Sequence, residues 1–375
     1  MSSRVLFVLN QFPNYTKAPI INQVAGLIDR GFDVAMHSFV RSSVEDIDPK
    51  IVQYNMLDRT HFGAPPDDLE EFDLIYCQLG NLGVIYAELL RSLAAPPALI
   101  TSFRGSDVTD RNKTNATQYA KLFKQGAAFL PVCEYFAYKL KLLGCPPERT
   151  RVLRSSIDCE LFSPRPHQLA AKNDVVKLLF VGRLVEKKGV STLLEALATL
   201  IHQQRIILNV VGDGPKRMAL EKQVLNLGLQ DHVKFLGSKS HAEIARILHE
   251  SDIFVAPSVT DKVGSQEGIP NSLKEAMASE LPVVSTYHAG IPELVEHDHS
   301  GLLVPERAPR QLARSINRLI ENPHAWRPFG RNARNRVCRL YSTEVLLKEL
   351  VDIISSVTGN SPQLARPHII TNESP

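Results

Sequence analysis

Short apolar runs rich in β-branched residues alternate along the chain with longer stretches in which apolar residues recur every three or four positions. A run at 5–9, an amphipathic stretch at 19–30 closed by Gly31, and a second run at 34–39 make the first strand–helix–strand unit. A parallel sheet covered by helices produces this pattern, because its strands are buried on both faces and each crossover needs a helix. The alternation predicts further strands at 73–77, 98–102, 128–132 and 151–154, and helices at 84–93, 117–125 and 135–143. It stops over 163–174, a polar stretch with two prolines, and restarts at 175–181. Strands are then expected at 175–181, 206–211, 233–236, 253–256, 283–286 and 302–304, with helices at 190–201, 215–227, 242–249, 270–279 and 308–320. The expected fold is α/β, with two doubly wound, Rossmann-like domains at 1–165 and 166–340. A helix at 341–357 is expected to pack back on the first domain, and 358–375 to be a flexible tail. Open parallel sheets bind ligands at the carboxyl ends of their strands, so a cleft between the domains is the expected site.

Composition narrows the class. With 44% hydrophobic and 22% charged residues, the 375-residue chain has ample material for full cores. Its 43 Lys and Arg against 40 Asp and Glu give a net charge of +3, too balanced to indicate a nucleic-acid partner. The five cysteines are odd in number and lack a Cys-x-x-Cys, so neither a disulfide framework nor a zinc cluster is indicated, and a reducing cytoplasm is expected. The first apolar run is too short for a secretory signal or a membrane span. Charge is uneven locally: 104–154 carries ten Lys and Arg against four acids, interleaved with Tyr135, Phe136, Tyr138, Leu140, Leu142 and Leu143. That stretch reads either as a packed helix with a wet basic edge or as a surface for anionic lipid on the inner membrane face. Trp326 reads as core.

The densest chemistry is the run from Glu267 to Ala278, with Glu267 and Glu275 eight positions apart around a helix start. Pro270 suits a first helical turn because it lacks an amide hydrogen, leaving the amides of Asn271 and Ser272, next to Gly268 and Ile269, as a diphosphate cradle. By spacing alone the two glutamates also read as ordinary surface residues. Gly182, Arg183 and Lys188 follow the strand that opens the second half, where fixed positive charge suits a diphosphate but also fits solvated loop residues. Gly212 stands in a similar strand-to-helix turn.

These runs, with 285–293 and 301–305, resemble the family-four retaining glycosyltransferases of the two-domain GT-B fold, most of all those of bacterial capsule, exopolysaccharide or lipopolysaccharide assembly. The resemblance covers nearly the whole second domain. It implies that Arg183 and Lys188 hold the donor diphosphate, Glu267 contacts the transferred sugar, Glu275 binds the ribose, and Gly237, Ser238 and Lys239 flank the base. In the first domain, Arg104 and Asp107 occupy a segment where the family has a His-Gly pair and a nearby Asp. Arginine at that place cannot shuttle protons, so its expected role is electrostatic. Phe12 to Thr16 lacks the family's glycine pair, Ser156 stands where glycine is common, and Glu280 replaces a glycine at a cost on the order of 1 kcal/mol if the backbone there is left-handed.

The resemblance implies transfer of a hexose, with retention, from a nucleotide-diphosphate sugar to a saccharide acceptor, lipid-linked in the expected case. The first domain would face the acceptor and the second the donor. UDP-sugars are favoured, with GDP-mannose next, and no metal or other cofactor is called for. Two other readings of the same fold are a nucleotide-sugar 2-epimerase, which needs no acceptor, and a non-catalytic nucleotide-sugar sensor or scaffold.

Overall fold

The computed structural model describes residues 3–13, 18–42, 47–110, 116–164, 175–202 and 204–359. Strands β1 (Arg4–Phe12), β2 (Asp33–Arg41), β3 (Thr60–Phe62), β4 (Leu74–Cys77), β5 (Ala98–Phe103) and β6 (Ala128–Pro131) form one parallel sheet in the order β3-β2-β1-β4-β5-β6. A second parallel sheet contains β7 (Val176–Val181), β8 (Ile206–Val211), β9 (Val233–Gly237), β10 (Ile253–Ala256), β11 (Val283–Thr286) and β12 (Leu302–Val304), ordered β12-β11-β10-β7-β8-β9. Two doubly wound α/β units are thus present. Successive residues of a central strand serve different cores. Val5, Phe7 and Leu9 pack with Ile21 and Val24 on one face of β1, whereas Leu6 and Val8 pack with Leu82 and Tyr86 on the other. In β7, Leu178 and Phe180 likewise face one core and Leu179 and Val181 the other. Burial on both faces explains why these strands read as continuous apolar runs.

Three local expectations are corrected. Residues 151–154 are not a strand. The amides of Arg151 and Leu153 each donate at 3.0 Å to the carbonyls of Phe129 and Pro131, but the return bond to the Arg151 carbonyl would have to come from Pro131, which has no N–H. The edge strand β3 has only three residues, too few for a period to appear. The helix Trp326–Tyr341 was not anticipated, because its buried stripe of Trp326, Phe329, Gly330, Ala333 and Val337 mixes small residues with large ones in an arginine-rich segment. Trp326 is buried and donates from its ring nitrogen to the Leu319 carbonyl.

From residue 165 the stretch expected as a linker lies outside the described residues. So do 360–375 of the expected tail, Asn14, Tyr15 and Thr16 after β1, and Arg111 and Lys113 of the basic stretch. The helix Thr343–Thr358 lies against Ala18–Ile28 and places Leu347, Leu350, Ile353 and Ile354 in the first domain's core. The chain therefore crosses twice between the domains, and the crossings are paired: the Ile157 amide donates to the Tyr341 carbonyl at 2.8 Å and the Thr343 amide to the Ile157 carbonyl at 3.1 Å.

The domains also touch at the cleft. Glu293 of the second domain accepts from the amides of Glu134 and Tyr135, each at 2.9 Å, and so caps the first turn of the first-domain helix Glu134–Leu142. That helix buries Phe136 and Leu140 and leaves Tyr138 and Leu142 exposed.

The helix Asn271–Ala278 ends in a Schellman arrangement, with the Leu281 amide bonded to the Ala276 carbonyl at 3.0 Å and Glu280 left-handed at φ 60°. Relieving a side chain of that conformation outweighs the added freedom of the unfolded chain, so Glu280→Gly is expected to raise stability by roughly 0.5–1 kcal/mol. Denaturant titration of the two proteins checks this, and an unchanged or lowered midpoint would show that the glutamate carries no strain.

Candidate functional site

Both sheets end their strands at a shared cavity of about 840 Å³. Of the residues expected at the site, Gly182, Arg183, Lys188, Gly212, Ser238, Lys239, Glu267, Gly268, Ile269, Asn271, Ser272 and Glu275 line it from the second domain, and Arg104 lines it from the first.

The loop after β7 is built close to its neighbours. Gly212, at φ 125°, lies so near the Gly182 carbonyl that a Cβ would come within 2.1 Å of its oxygen. Gly189, at φ 69°, would carry a Cβ 1.8 Å from the Pro257 carbonyl oxygen. Only glycine meets both conditions, and the result is a rigid turn that presents Lys187 and Lys188 side by side. Their ammonium groups each lie 3.0 Å from an oxygen of Glu267. Burial would raise the Glu267 carboxyl, but Lys188 and Lys187 outweigh it and bring it down to about 2. Glu267 is therefore ionised at neutral pH and serves as an electrostatic anchor with no proton to give.

The backbone of Glu267 is fixed as well. Its amide donates to His288 Nε2 at 3.0 Å, so the ring proton sits on Nδ1 and is given to Glu306, whose second oxygen accepts from the Thr260 amide at 2.7 Å. Burial lowers the pKa of His288, in keeping with a neutral ring. Next along, Ser272 donates to the Val181 carbonyl at 2.8 Å, which ties the start of the helix Asn271–Ala278 to the end of β7. The first-turn amides of that helix have no partner within it, so they add partial positive charge to this end of the cavity. Arg183 is exposed at the rim, and its guanidinium has no partner among the described residues.

Glu275, one turn further in, is buried. Burial raises its pKa, while His241, 3.8 Å away, Lys274 and Lys188 pull it back. Lys239 is paired with Glu243 at 3.1 Å, beside the Ser240 capping box of the next helix, His241–His249.

Three expected residues do not reach the cavity. Asp107 is buried behind it, its carboxylate accepting from the amides of Gly80, Arg104 and Gly105. It shapes the loop that carries Arg104 and cannot meet a substrate. Gly237 is left-handed at the end of β9 and is spent on the fold, its carbonyl accepting from Gly212 at 2.8 Å. Pro270 is the N-cap and is likewise absent from the lining. Conversely, Gln78, Ser155 and His241 line the cavity, and Lys187 and His288 hold Glu267, without having been singled out. Of these, Lys187 stands beside Lys188 and His288 lies in the 285–293 run of the resemblance, whereas Gln78, Ser155 and His241 carried no sequence signal. Asp46-Ile47-Asp48 is an Asp-x-Asp triplet, but Asp48 is used as an N-cap, accepting from the Lys50 amide at 2.9 Å, and Asp46 lies outside the described residues.

The depressed Glu267 pKa sets a sign for acid stability. A carboxylate held below its ordinary value of 4.5 stabilises the fold fully above that pH, and the contribution is lost as pH falls toward about 2. The stability gap between wild type and Glu267→Gln is thus expected to narrow on acidification below about pH 4.5. Urea midpoints at pH 6, 5, 4 and 3 read the gap, and a constant difference would mean that no ionised clamp exists.

Comparison with known proteins places this arrangement. Residues 165–336 match the family described as glycosyl transferases group 1. The putative colanic acid biosynthesis glycosyltransferase WcaL of Escherichia coli K12 is 30% identical, over 94% of this chain and 100% of its own length. The amylovoran biosynthesis glycosyltransferase AmsK of Erwinia amylovora is 29% identical, over 94% and 99%. Among solved structures, Anabaena Alr3699/HepE in complex with UDP superposes with a TM-score of 0.78 at 20% identity, over 94% of this chain and 100% of that one, a likeness of fold. The chain belongs to the group 1 glycosyl transferases and is a glycosyltransferase of the two-domain GT-B fold.

Proposed function

We propose that this glycosyltransferase moves a hexose, with retention of configuration and without a metal ion, from a UDP-sugar to a saccharide acceptor in cell-surface polysaccharide synthesis. The observation that carries the reading is the meeting of Lys188 and Glu267 with the N-terminus of Asn271–Ala278 in one cavity, with Lys187 bracing Glu267 from behind and the unpaired Arg183 at the rim. The site is rich in fixed positive charge where a diphosphate would lie. The names of WcaL and AmsK, which refer to colanic acid and amylovoran biosynthesis, support the process, and the UDP and UDP-glucose complexes of HepE support the nucleotide.

As the glycosidic bond breaks, negative charge grows on the departing diphosphate. Lys188 and the helix amides are held in place beforehand, so they stabilise that charge more than they stabilise the intact donor, and Arg183 adds positive charge from the rim. Glu267 keeps the two lysines apart and aimed, and its ionised carboxylate also faces the place of the positive charge that develops on the sugar ring. Glu275, buried with His241 beside it, fits a ribose hydroxyl pair. An acceptor hydroxyl on the first-domain side then forms the new bond to the anomeric carbon on the face that the leaving group vacates, and its proton passes to the departing diphosphate oxygen. Exposed Tyr138 and Leu142, next to Lys139 and Lys141, support a peripheral contact with an anionic membrane carrying a lipid-linked acceptor. Among the described residues no helix is long and apolar enough to cross a membrane.

Lys188→Ala is expected to lower turnover about 100-fold or more, as for loss of one preorganised donor elsewhere, and Glu267→Ala similarly. Steady-state release of UDP from UDP-sugars, with circular dichroism to confirm folding, is the measurement. Near-wild-type rates in folded variants would remove the mechanism.

A further inference from the structure

Among the described residues Arg104 has no counter-ion. Among the described residues its guanidinium touches only neutral groups: it donates to Ser155 Oγ at 3.2 Å and to Gln78 Oε1 at 2.6 Å, and lies within reach of the Tyr76 hydroxyl. Its Nε is buried without an acceptor. The acids nearby are all committed elsewhere. Asp107 is bound by backbone amides, Glu267 by Lys187 and Lys188, and Glu275 interacts with His241, Lys274 and Lys188.

A second cation stands behind the first. Lys274 is 1% exposed, donates to the Ser155 carbonyl, and lies 5.5 Å over the Tyr341 ring. Burial lowers its pKa to about 7, with Glu275 opposing and Arg104 adding repulsion. Gln78, only 2% exposed, has given its oxygen to Arg104 and leaves its Nε2 without an acceptor. Arg104, Gln78 and Ser155 all line the cavity. A half-buried cation with no counter-ion among the described residues, its buried Nε and the neighbouring Gln78 Nε2 both lacking acceptors, is costly unless a ligand completes it, and a neutral sugar would only bury the charge further.

We propose that Arg104, Gln78 and Ser155 form a subsite for an oxyanion carried by the saccharide, a carboxylate or a phosphate, on either the transferred sugar or the acceptor. The planar guanidinium pairs with such a group through two parallel hydrogen bonds, which a hydroxyl cannot match. The inference rests on the donor-site reading above and adds the charge of the substrate.

The test compares wild type, Arg104→Met and Gln78→Leu. In the donor arm, calorimetry measures UDP-glucuronic acid against UDP-glucose. In the acceptor arm, transfer is measured to saccharides ending in glucuronic acid, glucose or glucose phosphate. Wild type is expected to prefer the acidic partner by about tenfold or more in one arm, which identifies the source. Arg104→Met is expected to reduce the preference to within about twofold while keeping its affinity for UDP-glucose, and Gln78→Leu to weaken it at least threefold. Should Arg104→Met not fold, Gln78→Leu carries the comparison. No preference in either wild-type arm, or a preference untouched in the variants, overturns the subsite. Failure of wild type to bind either nucleotide sugar would instead overturn the donor reading. In that case thermal midpoints with D-glucuronate against D-glucose, in wild type and Arg104→Met, still decide the subsite without any nucleotide, a rise with glucuronate in wild type alone supporting it and its absence overturning it.

Discussion

A carboxylate set between two ammonium groups is the fixed point of this site. Glu267 is largely withdrawn from water, which by itself disfavours its charge, and it stays ionised because Lys187 and Lys188 stand on either side. Such a triad holds only if every member is supported, since a buried ion pair with imperfect geometry loses more in desolvation than it regains. Here the lysines come from a turn that only glycines permit, and the amide of Glu267 is fixed by a neutral histidine, itself oriented by Glu306. The loop after β7 and the loop before Asn271–Ala278 are thereby locked to each other. The diphosphate of the proposed donor would meet charges already in place there and would need only to share Lys188 with Glu267.

The first domain contributes differently. Its polar contacts with the second domain are local, with Glu293 on the start of Glu134–Leu142, Thr109 accepting from the Gln266 amide at 3.0 Å and Tyr135 donating to the Gln266 side chain at 3.0 Å, and they surround a small apolar contact of Ile269 with the core around Phe136. A contact of this size resembles the modest interfaces usual between domains of one chain, and the paired crossings at Ile157 and at Tyr341 to Thr343 join the two domains by hydrogen bonds as well as covalently.

The fold was legible because the parallel sheets bury both strand faces, and no other common architecture combines apolar runs of that length with helical intervals. The second-domain wall of the cavity was legible because its parts lie in compact runs at 182–188 and 267–275, where spacing along the chain reflects position in space. What escaped was contributed by distant segments one residue at a time. Gln78, Ser155 and Lys274 come from three separate elements and converge on Arg104 only through the tertiary fold. Asp107 misled for the opposite reason: a carboxylate next to a functional arginine looks chemical in sequence, whereas its environment is a ring of backbone amides. The unpaired return bond at Pro131 is a similar case, since 151–154 has the composition of a strand and lacks only its partner's hydrogen.

The helix Thr343–Thr358 gives the chain an order of assembly. Leu347 fills the space above Gly26, and Leu350, Ile353 and Ile354 complete a core whose other buried members lie between Val5 and Leu153. During translation the first domain therefore emerges with an apolar groove that stays open until residues 343–358 have left the ribosome. A nascent chain stalled before this helix would expose that groove to chaperones or to other nascent chains, so loss of the helix would be felt first in a domain encoded about two hundred residues upstream.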